Sequence, residues 1–314
     1  MSALHDALQE YLAVRRALGA KLRPTELRLR RFVEFLDREG AEAITTDLAL
    51  RWATSPAGTS RHNHARRLGD VRMFAAWRSA ADTRTEVPPK GLLPSHYHRP
   101  SPYLYSDEEI ARIVGQAARL RTRLGLRART YATLFGLLAT TGLRVSEALF
   151  LDRDDVDLLG AVLAVRHAKF DKPRFVPVHD STCAALRRYA QERDRLLRDP
   201  LAPAFFLSER GRRVTTLRAE YNFAVVSRAI GLRKPVVGYR HGRGPRLHDM
   251  RHRFAVRTLL RWYREGRDVE REFPKLSTYL GHARPANTYW YLEAVPELLE
   301  FATERSARPQ ERPL

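Results

Sequence analysis

Apolar residues recur at helical spacing through the first part of the chain. In the segment PTELRLRRFVEFLDREG, Leu29, Phe32, Val33 and Leu36 fall on one helix face, Arg28, Arg30 and Arg31 lie off it, and Gly40 supplies a stop. A later stretch repeats the pattern: Leu68, Val71, Phe74 and Trp77 can face a core, while Arg66, Arg67 and Arg72 remain outside. Residues 1–87 therefore read as a small helical bundle. The period is lost in VPPKGLLPSHYHRPSPY, where prolines concentrate, so an extended linker is expected over 88–104. Directly after it, Ser106-Asp107-Glu108-Glu109 fits the capping box that opens a helix, with Ser106 as cap and Glu109 reaching back to it. A second domain is expected over 105–314.

Helical periodicity in that domain is interrupted once. Between 149 and 178, turn signals at Asp154-Asp155 and Gly160 precede two β-rich runs, AVLAVRHA and RFVPV, separated by a polar turn from Lys169 to Lys172. A small antiparallel sheet with a β-hairpin is the expectation. Helices resume near Ser181 and continue, with loops around 200–215 and 235–245, almost to the end. There is no repeat of solenoid type. The fold class is thus mainly α, with an N-terminal helical bundle followed by a mixed α/β, mostly helical domain that carries a small antiparallel sheet.

Composition changes this picture in one respect. At 314 residues, 44% hydrophobic and 29% charged, the chain has the make-up of a globular protein with room for two domains. Its 56 Lys and Arg against 36 Asp and Glu leave a net charge of +20, which suits a polyanionic partner. Lysine contributes only Lys21, Lys90, Lys169, Lys172, Lys234 and Lys275, so arginine supplies the rest. A GC-rich genome accounts for that skew but not for the excess over acids. No stretch has the length of a membrane span and no lipidation signal is visible, so nucleic acid is favoured over an anionic membrane. The single Cys183 cannot form an internal disulfide, and the N-terminus alternates charged with apolar residues, unlike a signal peptide; a reducing cytoplasm is expected. One cysteine and scattered histidines offer no convincing metal set. The string His62-Asn63-His64 spells the name of a nuclease class, but that class is defined by dispersed residues.

Four segments of the second domain carry basic, histidine and tyrosine residues in a fixed order: TTGLRVSEALFL, AVRHAKFDKPRFVPV, LHDMRHRFAV and YLGHARPANTYWYL. They resemble the motifs of the tyrosine recombinase family, which includes phage integrases, chromosome-dimer resolvases and transposon recombinases. Gly-Leu-Arg occurs three times, but only the copy at 142–144 is followed by Val-Ser-Glu and an apolar helix, the setting of the family's first catalytic arginine. His-Asp-Met-Arg-His at 248–252 is a more specific match, and Leu-Gly-His at 280–282 followed by Thr288 and Tyr291 is more specific still. The likeness is tight over roughly 105–300 and architectural over the first 90 residues.

Attack on a phosphodiester builds negative charge on the non-bridging oxygens, and arginine offers them a permanent charge with paired N–H donors. The resemblance gives that task to Arg144 and Arg251, and makes His282 a third donor to the phosphate. His248, three residues before Arg251 and hence on the same helix face, is the implied general base for a phenol whose ordinary pKa is about 10. Of the two lysines in the hairpin turn, aligning RFVPV with the family's following strand makes Lys169 rather than Lys172 the general acid, although Phe170 departs from the small residue often found after that lysine. The family interval selects Tyr291 as nucleophile over Tyr279 and Tyr289; residues 289 and 291, two apart on a helix, would point in nearly opposite directions. Glu147 and Asp249 stand beside the two arginines as expected supports, and His252 is expected to be structural.

The resemblance further implies an N-terminal core-binding domain and a C-terminal catalytic domain that clamp double-stranded DNA, and a homotetramer on two DNA sites, with or without an accessory protein. It implies a 3′-phosphotyrosyl intermediate needing neither metal, ATP nor other cofactor, in a protein associated with the bacterial nucleoid. The ending TYWYL and the following Pro-Glu-Leu-Leu look most like recombinases of mobile elements, serving integration or transposition. Leu298, Leu299 and Phe301 form a short apolar stripe that packs either on a neighbouring protomer or on its own domain. A type IB topoisomerase would share this chemistry, and a non-catalytic DNA-binding protein would share only the charge. A metal-dependent nuclease would need clustered carboxylates, which are not apparent.

Overall fold

A computed structural model describes residues 3–20, 22–55, 58–94, 101–166, 173–198, 200–235, 244–282 and 288, and the chain divides into two compact units, 1–100 and 101–314. The first unit contains α1 (Ala3–Ala17), α2 (Arg23–Arg38), α3 (Thr46–Thr54) and α4 (Arg61–Arg78). Pro24 sits in the first turn of α2, where a missing N–H costs nothing. Thr45 and Ser60 cap α3 and α4 by accepting hydrogen bonds from the backbone N–H of Leu48 and Asn63. Leu29, Phe32, Val33 and Leu36 are buried, and so are Leu68, Val71 and Phe74, together with Leu8, Leu12 and Trp52. Trp77 packs at the margin of this core, and Leu93 joins it from beyond the helices.

The arginines expected on the outer face divide. Arg66 is exposed, while Arg28 pairs with Asp70 at 2.5 Å. Arg67 departs from expectation: its guanidinium lies 3.6 Å from the centroid of the Trp52 ring and donates to the Trp52 carbonyl at 2.6 Å. The electron-rich indole face attracts that cation and offsets part of the cost of its burial.

The second unit opens on α5 (Asp107–Ala117), with Ser106 accepting from the Glu109 N–H at 3.1 Å and Glu109 accepting from the Ser106 N–H at 2.9 Å. Then follow α6 (Leu126–Thr141), α7 (Val145–Phe150), a 3₁₀ turn at Arg153–Asp155, and strands β1 (Val156–Asp157), β2 (Val162–Val165) and β3 (Arg174–Pro177). The strands form one antiparallel sheet in the order β1-β2-β3, with Val162 opposite Pro177 and Val165 opposite Arg174. The hairpin turn, with Lys169, Phe170 and Lys172, lies outside the described residues. Helices α8 (Asp180–Leu196), α9 (Thr216–Ala229), α10 (Leu247–Arg264) and α11 (Val269–Leu280) complete the described elements.

Apolar on most of its circumference, α6 is the central helix of this unit, packed by α5, α8 and α10. Its Leu134, Phe135 and Leu138 share a core with Leu163, Val165 and Val176 of the sheet and Met250 of α10. A second core joins α10 to α11 through Leu259, Trp262, Val269, Phe273, Leu276 and Leu280. Among the described residues, no helix is long and apolar enough to cross a membrane. The mainly helical fold with a small antiparallel sheet is the one expected from the pattern.

Candidate active site

The site is organised by two helix C-termini. Both α6 and α11 end on a glycine in the left-handed region, Gly142 at φ +62° and Gly281 at φ +66°. At α11 the turn is a Schellman motif, in which the Gly281 N–H donates to the Thr278 carbonyl at 2.9 Å and the His282 N–H to the Ser277 carbonyl at 3.0 Å. Three further carbonyls at this end, those of Tyr279, Leu280 and Gly281, are each met by a guanidinium. Arg174 Nε donates to Tyr279 O at 2.7 Å, Arg251 Nη2 to Leu280 O at 2.6 Å, and Arg144 Nη2 to Gly281 O at 3.2 Å. Cations are favoured here because the last turn of a helix concentrates the partial negative charge of its unsatisfied carbonyls.

Arg251 joins the two ends. Its Nη1 donates to Gly142 O at 2.9 Å while Nη2 holds Leu280 O, so one buried side chain fixes the α6 terminus against the α11 terminus. Arg144 stands two residues after the first and His282 one residue after the second. Neither glycine can be replaced without displacement: a Cβ at 142 would lie 2.6 Å from the Phe254 ring, and one at 281 would lie 2.7 Å from the Arg174 guanidinium. The Gly-Leu-Arg and Leu-Gly-His segments thus need glycine for the backbone turn and for the close approach together.

Glu147, buried on α7, holds the arginines in place. Its carboxylate accepts from the Arg144 backbone N–H at 3.0 Å and guanidinium at 2.5 Å, and from Arg174 at 2.9 and 3.2 Å. Burial alone would raise its pKa, but the Arg174 hydrogen bonds and charge, with Arg144, outweigh burial and lower it. Asp249, expected to support Arg251, instead accepts from the Arg246 backbone N–H at 2.7 Å and guanidinium at 2.9 Å, closing the N-terminus of α10. Position explains the difference: Arg251 points toward the carbonyl ends of α6 and α11, away from the first turn of its own helix, where Asp249 is held.

His282 and His248 complete the described cluster. His282 Nε2 lies 2.8 Å from Arg251 Nη2 and its Nδ1 lies 2.6 Å from Thr288 Oγ1. Burial first, then the charges of Arg251 and Arg144, hold its pKa down to about 3. On α10, His248 keeps part of its surface exposed while its ring packs against His252, and desolvation of the packed side and then the Arg251 charge lower its pKa from the ordinary value. Its ring meets the buried His252 edge-on at 4.7 Å between centroids, so His252 serves as packing for the neighbour it could be confused with. Tyr279 is stacked on Phe254 at 5.4 Å, and burial pushes its hydroxyl up to about 12.

Arg144, Arg251 and His282 are therefore brought together, with His248 near enough to feel the charge of both arginines. Lys169 and Tyr291, as well as Tyr289, lie outside the described residues. Sequence reasoning missed Arg174, whose only local signal is a basic residue opening a strand otherwise apolar, and it used Thr288 merely as a spacing mark. Among the described residues no group of three or more His, Cys, Asp or Glu side chains could hold a metal ion. What the cluster offers chemically is fixed positive charge with N–H donors, partly exposed at Arg144 and His282 and buried at Arg251, suited to an oxyanion.

Comparison with known proteins shows the family. The model of the phage integrase family matches residues 105–297. The protein y4rB of Sinorhizobium fredii, provisionally named an integrase/recombinase, is 47% identical over 312 residues, covering 98% of each chain. Tyrosine recombinase XerC of Mycobacterium sp. (strain JLS) is 31% identical over 302 residues, covering 93% of this chain and 94% of XerC. Among solved structures, the Tn1549 transposon integrase in complex with circular intermediate DNA has the same fold, with a TM-score of 0.66 at 17% identity over 96% of this chain and 99% of that one. A lambda integrase tetramer bound to a Holliday junction matches at a TM-score of 0.60 and 15% identity, over 90% of this chain and 78% of that one. With the family model spanning most of the second unit and near-full-length relatives above 30% identity, the chain belongs to the phage integrase family and is a tyrosine recombinase.

Proposed function

We propose that this protein is a site-specific recombinase that cuts and rejoins double-stranded DNA through a 3′-phosphotyrosyl link at Tyr291. The observation that carries the proposal is the meeting of Arg144, Arg251 and His282 at the carbonyl end of α11. In the proposed reaction the Tyr291 hydroxyl oxygen attacks the scissile phosphorus while His248 takes the phenolic proton. Arg144, Arg251 and His282 stabilise the charge gathering on the non-bridging oxygens. The bond from phosphorus to the 5′ oxygen breaks, and Lys169 supplies the proton that makes a 5′ hydroxyl. A 5′ hydroxyl from a second duplex then attacks the phosphotyrosyl link and releases Tyr291, so the bond energy is conserved without ATP.

The guanidiniums supply the positive charge that a metal ion would otherwise provide, which supports a metal-independent mechanism. The support for His248 is its place on α10 within reach of the charges of Arg251 and Arg144; its lowered pKa keeps the imidazole neutral at pH 7 and also makes it a weaker base. The net charge of +20 and the DNA-bound structural neighbours support duplex DNA as partner, and the lambda integrase tetramer supports a homotetramer on two sites. The likeness to a transposon integrase, with the TYWYL ending, supports integration or transposition of a mobile element.

A nicked suicide substrate carrying the recombination site, incubated with protein in EDTA, tests the chemistry. Wild type should give a covalent protein–DNA adduct on a denaturing gel, and Tyr291→Phe should give none. Cleavage that appears only with a divalent ion would refute the mechanism, and an adduct formed by Tyr291→Phe would refute the nucleophile.

A further inference from the structure

We infer that Thr288 is the positioning residue that sets the ring orientation of His282. This rests on the proposed function above and adds to it a group that does not touch DNA.

A guanidinium is a donor only, so the 2.8 Å contact between Arg251 Nη2 and His282 Nε2 makes Nε2 an acceptor. A protonated Nε2 would place two donors head to head. In this arrangement His282 is therefore neutral, its proton is on Nδ1, and Nδ1–H donates to Thr288 Oγ1 at 2.6 Å. Thr288 is fully buried, so no water competes for this bond. The hydroxyl is matched to the task because it can either accept or donate.

To serve a phosphate oxygen, His282 must present an N–H at Nε2, the atom that faces Arg251. When a phosphate draws the Arg251 N–H groups to its own oxygens, Nε2 can take a proton by either of two routes. The ring can gain a second proton from solvent and go on donating Nδ1–H to Thr288, or the proton can change nitrogen and Thr288 can turn to donate to Nδ1. In both cases the same hydroxyl holds the ring in one plane and aims Nε2. The charged groups that bear on the ring are Arg144 just before α7, Glu147 from α7, Arg174 from β3 and Arg251 from α10; only Glu147 favours the proton, so an arriving phosphate weakens a field that otherwise repels it. A valine at 288 would keep the volume and remove the switch.

Three forms of the full-length protein test this: wild type, Thr288→Val and Thr288→Ser. Adduct formation on the suicide substrate should fall about ten- to a hundredfold in Thr288→Val, the loss typical when a group orienting an active-site ligand is removed, with DNA affinity unchanged. Thr288→Ser should restore most of the rate. Histidine 15N spectra of the DNA-free protein should show His282 with its proton on Nδ1 in wild type, and that Nδ1–H should exchange faster with solvent in Thr288→Val. A Thr288→Val rate equal to wild type, or a wild-type spectrum with the proton on Nε2, overturns the inference. If Thr288→Val does not fold, the wild-type spectrum decides alone. Failure of wild type to form any adduct would instead refute the proposed function, so the two failures are distinguishable.

Discussion

Arg251 shows how much a single guanidinium can be asked to do. It crosses between two helix termini, donating to Gly142 O and Leu280 O, and faces His282 with the same nitrogen that holds Leu280. Lysine would keep the charge but carries one nitrogen in place of a planar fork, so it could not span both carbonyls and still reach a phosphate. Arg251→Lys should lower strand cleavage about a hundredfold or more, as loss of one oxyanion donor does elsewhere; cleavage within a few-fold of wild type in single-turnover assays would show that the fork is not needed. His248 gives a second residue-scale expectation. Because its pKa lies below the ordinary value of about 6.5, the ring is already neutral at pH 6.5, and the cleavage rate should hold steady from pH 8 to 6.5 and fall only in more acid solution. A rate that already drops between pH 8 and 6.5 would contradict this.

At the scale of elements, the site depends on where helices stop. Gly281 combines a left-handed backbone with contact against Arg174, so Gly281→Ala should cost at least the ~1–2 kcal/mol of placing a side chain in that region. It should also slow cleavage, because Tyr279 O, Leu280 O and Gly281 O would lose register with their three arginines. Chemical denaturation and the suicide-substrate rate measure the two effects, and an unchanged midpoint would rule out this account of the turn.

The elements themselves were legible in the sequence wherever a period or cap announced them. The α2 stripe, the Ser106–Glu109 box and the β2–β3 hairpin all depend on residues a few positions apart, which a linear reading can see. Arg144, Arg251 and His282 were legible as motif members. Their mutual arrangement was not, because it is made by bonds spanning more than a hundred positions, such as Arg251 to Gly142 and Arg144 to Gly281. Arg174 escaped for that reason, since it reaches the Tyr279 carbonyl across 105 positions; the pairings of Thr288 with His282 and of Asp249 with Arg246 are local, but no period or cap pattern used in the reading marks them.

For the whole molecule, acid should act on stability before it acts on structure at large. His282 titrates near about 3 when folded, well below its value in an unfolded chain, so the unfolded state binds that proton first as pH falls. Stability is therefore full above about pH 6.5 and declines from there toward the folded pKa. Glu147, also lowered, adds loss in the same direction at lower pH. The melting temperature of the catalytic unit should fall steadily from pH 7 to pH 4, and His282→Gln should flatten the upper part of that slope; a melting temperature that rises on acidification would refute the assignment. The net charge of +20 carries the other expectation. DNA affinity should weaken steeply with salt as phosphate contacts release counterions, and a flat dependence between low and high salt would contradict DNA binding through the backbone.

The central claim is that the arginine and histidine cluster serves a tyrosine nucleophile at position 291. Its most direct test is to trap the covalent adduct on a suicide substrate, digest protein and DNA, and locate the modified residue by mass spectrometry. The predicted result is a nucleotide joined through its 3′ phosphate to Tyr291. Attachment at Tyr279, Tyr289 or any other residue, or linkage through a 5′ phosphate, would contradict the account.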